Sequence, residues 1–309
     1  MAEITASLVK ELRERTGAGM MDCKRALGEA AGDIEVATDW LRKKCLAAAA
    51  KKFSRVTSEG LIGMALAGTS GALVEVNAET DFVARNGSFQ ELVRRIAALA
   101  PAARGDLDAL KGARVEATGR TVDEEITQAI AVIGENINLR RTAYLEVAHG
   151  AVAGYLHNQL SPGLGKLGVL VALESAGGSR RVAETGKQLA MHIAATNPQA
   201  VTADKIDPAV VEREKAIFAD QARASGKPES IIEKMVEGRL RKFYEEAVLL
   251  EQVFVVDTDK RVKEAVQAAA KEAGSGIEVV AFVRMALGEG VEKGGGDDFA
   301  AEVAQLAGV

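Results

Sequence analysis

The spacing of hydrophobic residues over the first fifty positions predicts three short helices. Leu8 and Leu12 lie about one helical turn apart, and a glycine-rich break follows them. A second helix is predicted over residues 20–30, and Asp33 is placed to cap a third. Three helices in so short a segment suit a small unit that docks onto another protein. We therefore assign residues 1–54 to a three-helix partner-docking module.

Beyond this module the pattern is typical of a small sheet with helices packed on it. Two apolar runs, residues 60–66 and 71–76, flank a turn and predict a β-hairpin. Ser88 and Glu91 have the spacing of a capping box, and Pro101 should end the helix that they start. The other predicted elements of this first α+β subdomain, residues 55–146, are a helix from a second capping box at Thr121 to about Gly134 and a strand over residues 137–147.

The next part of the chain repeats the first subdomain. Residues 71–76 align with residues 168–173 at an offset of 97, and the helix that follows matches at the same spacing. A shorter match near an offset of 138 relates residues 142–145 to residues 280–283. Two matches at one spacing predict a duplicated unit of small antiparallel sheet plus helices.

The second α+β subdomain, residues 147–287, carries an insertion. Pro208 directly after a capping aspartate starts a helix that turns and returns, which predicts a helical hairpin over about residues 207–247. The hairpin suits dimerisation, docking or a surface insertion equally, so a homodimer stays open. A glycine-rich joint and a helix over residues 298–306 make up a predicted C-terminal helical module, residues 288–309.

The composition is that of a globular protein with an acidic balance. The 309 residues are 48% hydrophobic and carry a formal net charge of -5, which argues against a general nucleic-acid binder because such proteins usually present a basic surface. The chain shows neither a signal peptide nor a stretch long enough to span a bilayer, so no membrane contact is expected. Cys23 and Cys45 have no partner at metal-ligand spacing, and we expect reduced thiols in a cytoplasmic protein.

Residues with catalytic or metal-binding chemistry are sparse. The histidines occur without an HExxH motif or a nucleophile motif. His192 is expected to be structural inside an apolar helix, whereas His157, at a predicted strand end, suits a contact role as well as a structural one. We predict no catalytic residue, no metal and no cofactor. Met20 and Met21 follow a glycine turn and suit an adaptable protein-binding surface, although a place in the core fits them equally.

One stretch is the main candidate for contact with a partner. After the strand that ends near Val76, Thr80 can cap a short helix, and Asp81 then lies in its first turn, where the helix dipole favours a carboxylate. Phe82 either stands at an exposed corner or joins the apolar stripe of the next helix as a core residue. The second copy has Gly-Gly-Ser at residues 177–179 instead, so the fold itself does not require the aspartate and phenylalanine. This difference favours a functional role for Phe82.

Two long runs make the chain similar to the elongation factor Ts family. They are residues 12–27 (LRERTGAGMMDCKRAL) and residues 75–85 (EVNAETDFVAR). Shorter runs at residues 133–141 (IGENINLRR) and 234–239 (KMVEGR) also fit, and the resemblance extends over nearly the whole chain. The chain departs from the pattern expected of the family at the exit of the third predicted helix, where it has Cys45 and the pair Phe53-Ser54.

The resemblance implies a role in protein biosynthesis, as a guanine-nucleotide exchange factor for the GTPase elongation factor Tu. Asp81 and Phe82 would push between helices beside the GDP of the partner, with Thr80 and Val83 shaping the wedge. The push would disturb the Mg²⁺ site and the phosphate loop, so that GDP leaves and GTP can rebind. Such a factor makes and breaks no bond and is therefore not an enzyme with a chemical step.

The resemblance also implies contacts away from the wedge. The three-helix module would lie on the nucleotide-binding domain of the partner through Arg13, Met20 and Met21. Ile133 and His157 would be further partner contacts, and the second copy would grip another domain of the partner. No direct contact with nucleic acid is implied.

Two other functions fit the residues less specifically. A nucleotide-dependent enzyme that uses the glycine loops would bind nucleotide by itself. A chaperone-like interaction module without exchange activity would bind many partners regardless of their nucleotide state. An exchange factor should instead capture one GTPase selectively, and added GDP should weaken that capture.

Overall fold

The fold is α+β, as predicted. The computed structural model describes residues 4–177, 179–224 and 228–291. The helices are α1 (Ala6–Thr16), α2 (Met20–Glu29), α3 (Ile34–Ala50), α4 (Asp81–Arg85), α5 (Gly87–Ala103), α6 (Leu107–Gly112), α7 (Val122–Ile133), α8 (Ser179–Thr196), α9 (Pro208–Arg223), α10 (Glu229–Ala247) and α11 (Val262–Ala273). The strands are β1 (Glu59–Leu66), β2 (Ser70–Ala78), β3 (Ile137–Glu146), β4 (Gly150–His157), β5 (Leu164–Gly165), β6 (Leu167–Glu174) and β7 (Glu278–Ala286).

The first three helices form where the hydrophobic pattern predicts them, because each has a defined start or stop. Thr5 caps α1 by accepting an amide hydrogen bond of the first turn, and Gly17 ends the helix with a φ of 69°. Asp33 accepts hydrogen bonds from two backbone amides of α3. The facing sides of the three helices bury Leu12, Leu27 and Leu41.

The remaining chain builds two antiparallel sheets that pack face to face. Their strand orders are β3-β2-β1-β5 and β4-β6-β7. Leu73 of β2 and Leu170 of β6 share a buried cluster between the sheets. The neighbouring positions Val74 and Val171 point the other way, into clusters with α5 and with α8. Both central strands are therefore buried on two faces, which explains why they are nearly continuous hydrophobic runs rather than alternating ones.

The predicted start and end of the helix after the wedge are wrong. Asn86, not Ser88, caps α5, because its side chain accepts hydrogen bonds from the amides of Ser88 and Phe89. Glu91 instead pairs with arginines of its own helix. Pro101 lies inside α5, whose last residues extend a short way beyond it. A proline there removes one hydrogen bond less than a turn from the helix end, which the helix tolerates.

The duplication predicted from the sequence is present in the strand registers. β2 pairs with β3 and β6 pairs with β7, and each ladder shifts register once. The two shifts follow Glu75 and Ala172, which are 97 residues apart. Glu75 pairs with Arg141 and Ala172 with Ala281, so the last strands are related by an offset of 140. The predicted offset of 138 is wrong by two residues, a slip that keeps the same face of the strand and so leaves the hydrophobic pattern unchanged.

Two glycines repeat one structural device in both copies. Gly60 at the start of β1 has a φ of 127°, and Gly150 at the start of β4 has a φ of 117°. A Cβ atom would lie 2.1 Å from the carbonyl oxygen of Val76 in the first case and 2.1 Å from that of Leu173 in the second. Only glycine fits such a close approach of two strands, so both hairpins begin in the same way.

The structure contains two helices that the hydrophobic pattern did not predict. Asp106 caps the short helix α6 by accepting two amide hydrogen bonds, but six residues are too few to show a period. α11 is the counterpart of α7, since the glycines that end them, Gly134 and Gly274, are also 140 residues apart. Its buried face is formed by Val262, Val266 and Ala269.

Some predicted boundaries stay predictions. β5 lies beyond residue 147 yet pairs with β1, at Ile62 and Gly165, so the first sheet takes an edge strand from the second predicted subdomain. α9 and α10 lie where the hairpin was predicted, and Asp207 caps α9. The predicted hairpin turn at residues 225–227 and C-terminal helix over residues 298–306 lie outside the described residues. Within the part of the chain that the structure describes, no helix has the length and apolar character needed to cross a membrane.

A fully buried carboxylate ties the sheets together. Glu75 accepts hydrogen bonds from Arg140 at 3.1 Å, from Arg141 at 2.5 Å and from the backbone amide of Gly288 at 2.8 Å. Asn77 donates a further one at 3.1 Å. Burial alone would raise the pKa of Glu75, but the donors from Gly288, Arg141 and Asn77 hold it below its usual range.

The same arginines also reach the chain after the last strand. Arg140 donates to the carbonyl oxygen of Glu289 at 2.6 Å, and Arg141 donates to that of Ala286 at 2.9 Å. The network therefore connects β2 and β3 of one sheet with the end of β7 of the other. Ala172 stands at the position of Glu75 in the second copy, so the network belongs to the first copy alone.

We predict that Glu75→Gln lowers the free energy of unfolding by about 3 kcal/mol, because it removes the buried carboxylate that two partly buried arginines share. Chemical denaturation followed by circular dichroism measures the change. Glu146→Gln is the matched control: this exposed carboxylate on β3 pairs with Arg104, and its loss should move the midpoint little. An unchanged midpoint for Glu75→Gln would contradict the role of this carboxylate between the sheets.

His192 is structural, as predicted. It is fully buried in α8, and its Nε2 lies 2.7 Å from Oε1 of Gln252. Its Nδ1 accepts a hydrogen bond from the amide of Val255 at 3.2 Å. The two contacts together require a neutral ring with its proton on Nε2. Burial lowers the pKa of His192, and the hydrogen bond to Gln252 offsets this only in part.

We predict that the protein loses stability as the pH falls below about 6.5, the ordinary pKa of histidine. Because the pKa of His192 is lowered by folding, the unfolded chain binds the proton more readily in this range. The stabilising contribution is thus complete above the unfolded pKa and is lost progressively as the pH falls from there through the lower folded pKa. Urea denaturation at pH 7.5 and 5.5 should show a larger drop for the wild type than for His192→Gln. Equal drops would contradict the assignment.

Candidate partner-binding site

The corner after β2 presents Phe82 to solvent. α4 has only five residues, and Val83 and Ala84 on its inner side are buried against the sheet and α5. Phe82 lies on the opposite side and is 77% exposed. The alternative in which Phe82 belongs to the core is therefore wrong. The Asn86 cap breaks the helical phase between Phe82 and α5, which is the physical reason.

Asp81 lies beside the exposed ring in the first turn of α4, as predicted. Its side chain is 50% exposed, and its only ion pair within the described structure is with Arg85 of the same turn, at 3.5 Å. An exposed pair of this kind contributes little to stability. The carboxylate and the ring together therefore form a small acidic and aromatic protrusion that the fold leaves accessible.

Thr80 does not cap α4 with its side chain, which corrects the expectation from the sequence. It occupies the cap position with an extended backbone, but its hydroxyl makes no capping hydrogen bond. Instead, the Thr80 hydroxyl donates to Oε1 of Glu135 at 2.7 Å, and the Thr80 amide donates to Oε2 of Glu135 at 2.9 Å. One carboxylate from the loop after α7 thus accepts both hydrogen bonds that Thr80 donates.

A second carboxylate makes the reciprocal contact: it lies before Thr80 and accepts a hydrogen bond from the loop after α7. Glu79 of the wedge segment accepts a hydrogen bond from the amide of Asn136 at 2.5 Å. The Asn136 side chain donates in turn to the carbonyl oxygen of Arg55, in the segment that leaves α3, at 2.8 Å. We call these four residues, Glu79, Thr80, Glu135 and Asn136, the corner clamp. It fixes the Asp81-Phe82 corner to the loop between α7 and β3.

The methionines of the docking module are also exposed. α2 begins at Met20, and its inward face is formed by Cys23, Ala26 and Leu27. Met20 is 60% and Met21 is 76% exposed, so the alternative in which they belong to the core is wrong.

The docking module reaches the corner clamp through α7. Gln128 of α7 donates to the carbonyl oxygen of Thr16 at 2.9 Å. Exposed Arg13 and Val132 of α7 line one cavity of about 310 Å³ between the module and this helix. Ile133, at the end of α7, is half-buried against the first core and directly precedes the loop that holds Thr80.

His157 lies at the end of β4 and is exposed. Its Nδ1 is 3.1 Å from the hydroxyl of Tyr155. The loop that follows returns to the wedge, because Ser161 donates to the Gln90 side chain of α5 at 3.1 Å. A cavity of about 450 Å³ is lined by Asp81, Arg85, Gln90 and residues 160 and 166 of this loop. The loop after His157 therefore lies beside the Asp81-Phe82 corner.

Glu79, Glu135 and Asn136 belong to the candidate site but were not predicted from the sequence pattern. No hydrophobic period marks them, and their partners are 55 and 57 residues away in the chain. The one available signal was that two polar residues directly follow the helix-ending Gly134 in a run that resembles the family.

Groups suited to metal binding do not cluster in the described parts of the chain. Cys23 is buried and Cys45 is half-buried, and burial raises the pKa of both thiols. Raised pKa values keep both sulfurs protonated and weakly reactive.

Known proteins of one family resemble this chain over its whole length. The family model described as Elongation factor TS matches residues 79–289. Elongation factor Ts of Rhodospirillum centenum is 58% identical over 308 residues, which is 100% of both chains. That of Rhodospirillum rubrum is 58% identical over 98% of both chains, and that of Agrobacterium fabrum is 57% identical over 99% of both.

These matches agree with the resemblance carried by residues 12–27 and 75–85. The family model spans more than half of the chain, and the relatives are collinear with it from end to end. The chain belongs to the elongation factor Ts family of translation elongation factors.

Proposed function

We propose that the chain is a guanine-nucleotide exchange factor that binds GDP-bound elongation factor Tu and promotes the release of GDP. Phe82 and Asp81 act as the wedge, with Thr80 and Val83 shaping its base. The observation that carries the proposal is the 77% exposed ring of Phe82 on a corner whose other side is buried. GTP then binds the emptied site.

A wedge of this kind suits the way in which a GTPase holds its nucleotide. GDP is bound largely through Mg²⁺ and through donors around its phosphates, so a small displacement of these groups weakens it strongly. A buried aromatic hot spot can supply about 2 kcal/mol or more. Each ~1.4 kcal/mol of coupling weakens GDP about tenfold. The buried Val83 anchors the inner side of α4, the helix that carries the ring, so that the ring can displace helices of the partner.

The docking module supplies affinity in this proposal. Met20 and Met21 offer flexible apolar side chains that adapt to another protein, and exposed Arg13 adds a positive charge on the same module. Ile133 and His157 are proposed as further contacts near the wedge. The second subdomain is proposed to grip another domain of elongation factor Tu. Self-association through the helical hairpin stays a prediction.

Thermodynamic reciprocity makes the proposed cycle run forward. If the chain weakens GDP by a given factor, then GDP or GTP weakens the grip of the chain on the partner by the same factor. Rebinding of nucleotide thus releases the chain for another round. Exchange by this route needs no bond-making step, no cofactor and no nucleic acid, and it takes place where translation does, in the cytoplasm.

We predict that Phe82→Ala slows the accelerated release of a fluorescent GDP analogue from elongation factor Tu by at least about tenfold, because the main displacing side chain is lost. Asp81→Ala should slow release less. Stopped-flow fluorescence at saturating chain concentration measures the rate. Phe53→Ala removes a ring that is 60% exposed on the segment after α3, keeps the backbone carbonyl that accepts from Asn136, and serves as the matched control. Release by Phe82→Ala at the wild-type rate would reject the exchange mechanism, and binding of many unrelated proteins would favour a chaperone-like role.

We predict that Met20→Ala/Met21→Ala raises the chain concentration needed for half-maximal release by about tenfold. The maximal rate should stay near that of the wild type, because the wedge is intact. Val36→Ala, on the neighbouring α3 with 54% exposure, is the control and should change neither value. A lower maximal rate at unchanged half-saturation would show that the methionines act in displacement and not in docking.

A further inference from the structure

The duplication of the fold offers an internal comparison for the corner clamp. By the register offsets of 97 and 140, Gly177 corresponds to Thr80 and Ser275 corresponds to Glu135. These two residues also meet, since a Cβ atom on Gly177 would lie 2.5 Å from the Cβ of Ser275. The second copy therefore closes the same corner with two small residues and no carboxylate.

The correspondence rests on helix ends as well as on strands. α7 begins at Val122 and α11 at Val262, again 140 residues apart. Glu135 and Ser275 are each the first residue after the glycine that ends the helix. The second pair of the clamp, Glu79 and Asn136, is likewise replaced by small residues, an alanine and a glycine. All four clamp residues are thus specific to the copy that carries the wedge.

We propose that the corner clamp positions the wedge, with Glu135 as its main positioning residue. The inference rests on the proposed exchange function. It adds to that function the residues that keep the wedge in place when it contacts the partner. Because the fold closes this corner without carboxylates in its second copy, the clamp serves the activity of the first copy and not the fold.

The need for a clamp follows from the size of α4. A helix of five residues is not stable by itself, and its inner side offers only Val83 and Ala84 as buried anchors. When Phe82 enters a partner, the opposing force can move either the partner or this corner. Two hydrogen bonds from Thr80 to a charged acceptor, each stronger than a neutral one, keep the corner in place. Pre-organisation of this kind directs binding energy into the displacement of the partner.

The clamp also sets the wedge relative to the docking module. Asn136 connects the wedge segment, through Glu79, with the carbonyl oxygen of Arg55 in the segment that leaves α3. The distance between the docking module and the Asp81-Phe82 corner is therefore restrained. A partner bound to the module contacts the corner at a set position. Loss of the clamp should impair displacement more than docking.

The test replaces the clamp pair by the residues of the second copy, in the double variant Thr80→Gly/Glu135→Ser. GDP release from elongation factor Tu is measured over a range of chain concentrations. We expect the maximal rate to fall about tenfold, which corresponds to ~1.4 kcal/mol of lost coupling, while the half-saturating concentration changes less than about threefold. Thermal unfolding by circular dichroism should stay cooperative. Glu146→Ala, at the other end of β3, is the control and should match the wild type.

A conservative variant and a second background make the test specific. Glu135→Gln should retain a large part of the rate, because its amide oxygen can accept from the Thr80 amide while its NH₂ group donates to the Thr80 hydroxyl. In a Phe82→Ala background, the double substitution should change the rate less than about twofold, because there is no ring left to position. If the double variant fails to fold, Glu135→Ala takes its place in both backgrounds.

The outcomes separate the two proposals. A wild-type maximal rate for the clamp variant, together with slow release by Phe82→Ala, overturns the positioning role and leaves the exchange function standing. The positioning role is also overturned if the clamp substitutions lower the maximal rate equally with and without Phe82. It is likewise overturned if they change only the half-saturating chain concentration. A wild-type rate for Phe82→Ala overturns the exchange mechanism itself, and the clamp inference with it.

Discussion

A single buried carboxylate sets the relation between the two sheets. Glu75 lies on a strand that is hydrophobic on both faces, where a charge is tolerated only because two arginines and a backbone amide surround it. Those donors come from β3 and from the segment after β7, so the stacking of the sheets and the register of β2 are fixed together. The exposed corner begins where β2 ends, and the direction of Phe82 therefore depends on that register.

The duplicated unit separates what both copies share from what the first copy alone adds. Both copies share the glycine that opens the hairpin, the register shift in the central ladder and the helix that ends in glycine. They differ where the first copy has Glu75 and the clamp residues and the second copy has small side chains. The shared positions thus contribute to packing in both copies. The polar residues found only in the first copy hold one protruding corner in its orientation.

Much of the fold and part of the site could be predicted from the sequence. Helices with caps, strands with continuous apolar runs and the repeat all have local signals, and the absence of Phe82 from the second copy favoured a functional role for it. The contacts of Thr80 could not be predicted, because its partner Glu135 lies 55 residues away and the threonine has the local signature of a cap. The start of α5 was misplaced because Asn86 and Ser88 both suit a cap, and only the fold selects between them.

The hydrogen bond from the Gly288 amide to the Glu75 carboxylate joins two residues that are 213 positions apart in the chain. The strand of Glu75 is made by a ribosome 213 residues before the loop of Gly288. Until that loop emerges, the carboxylate lacks a backbone donor and keeps its water, and the face of the sheet beside it stays open. A loop made 213 residues later therefore seals this sheet, and chains released before that loop would lack the seal.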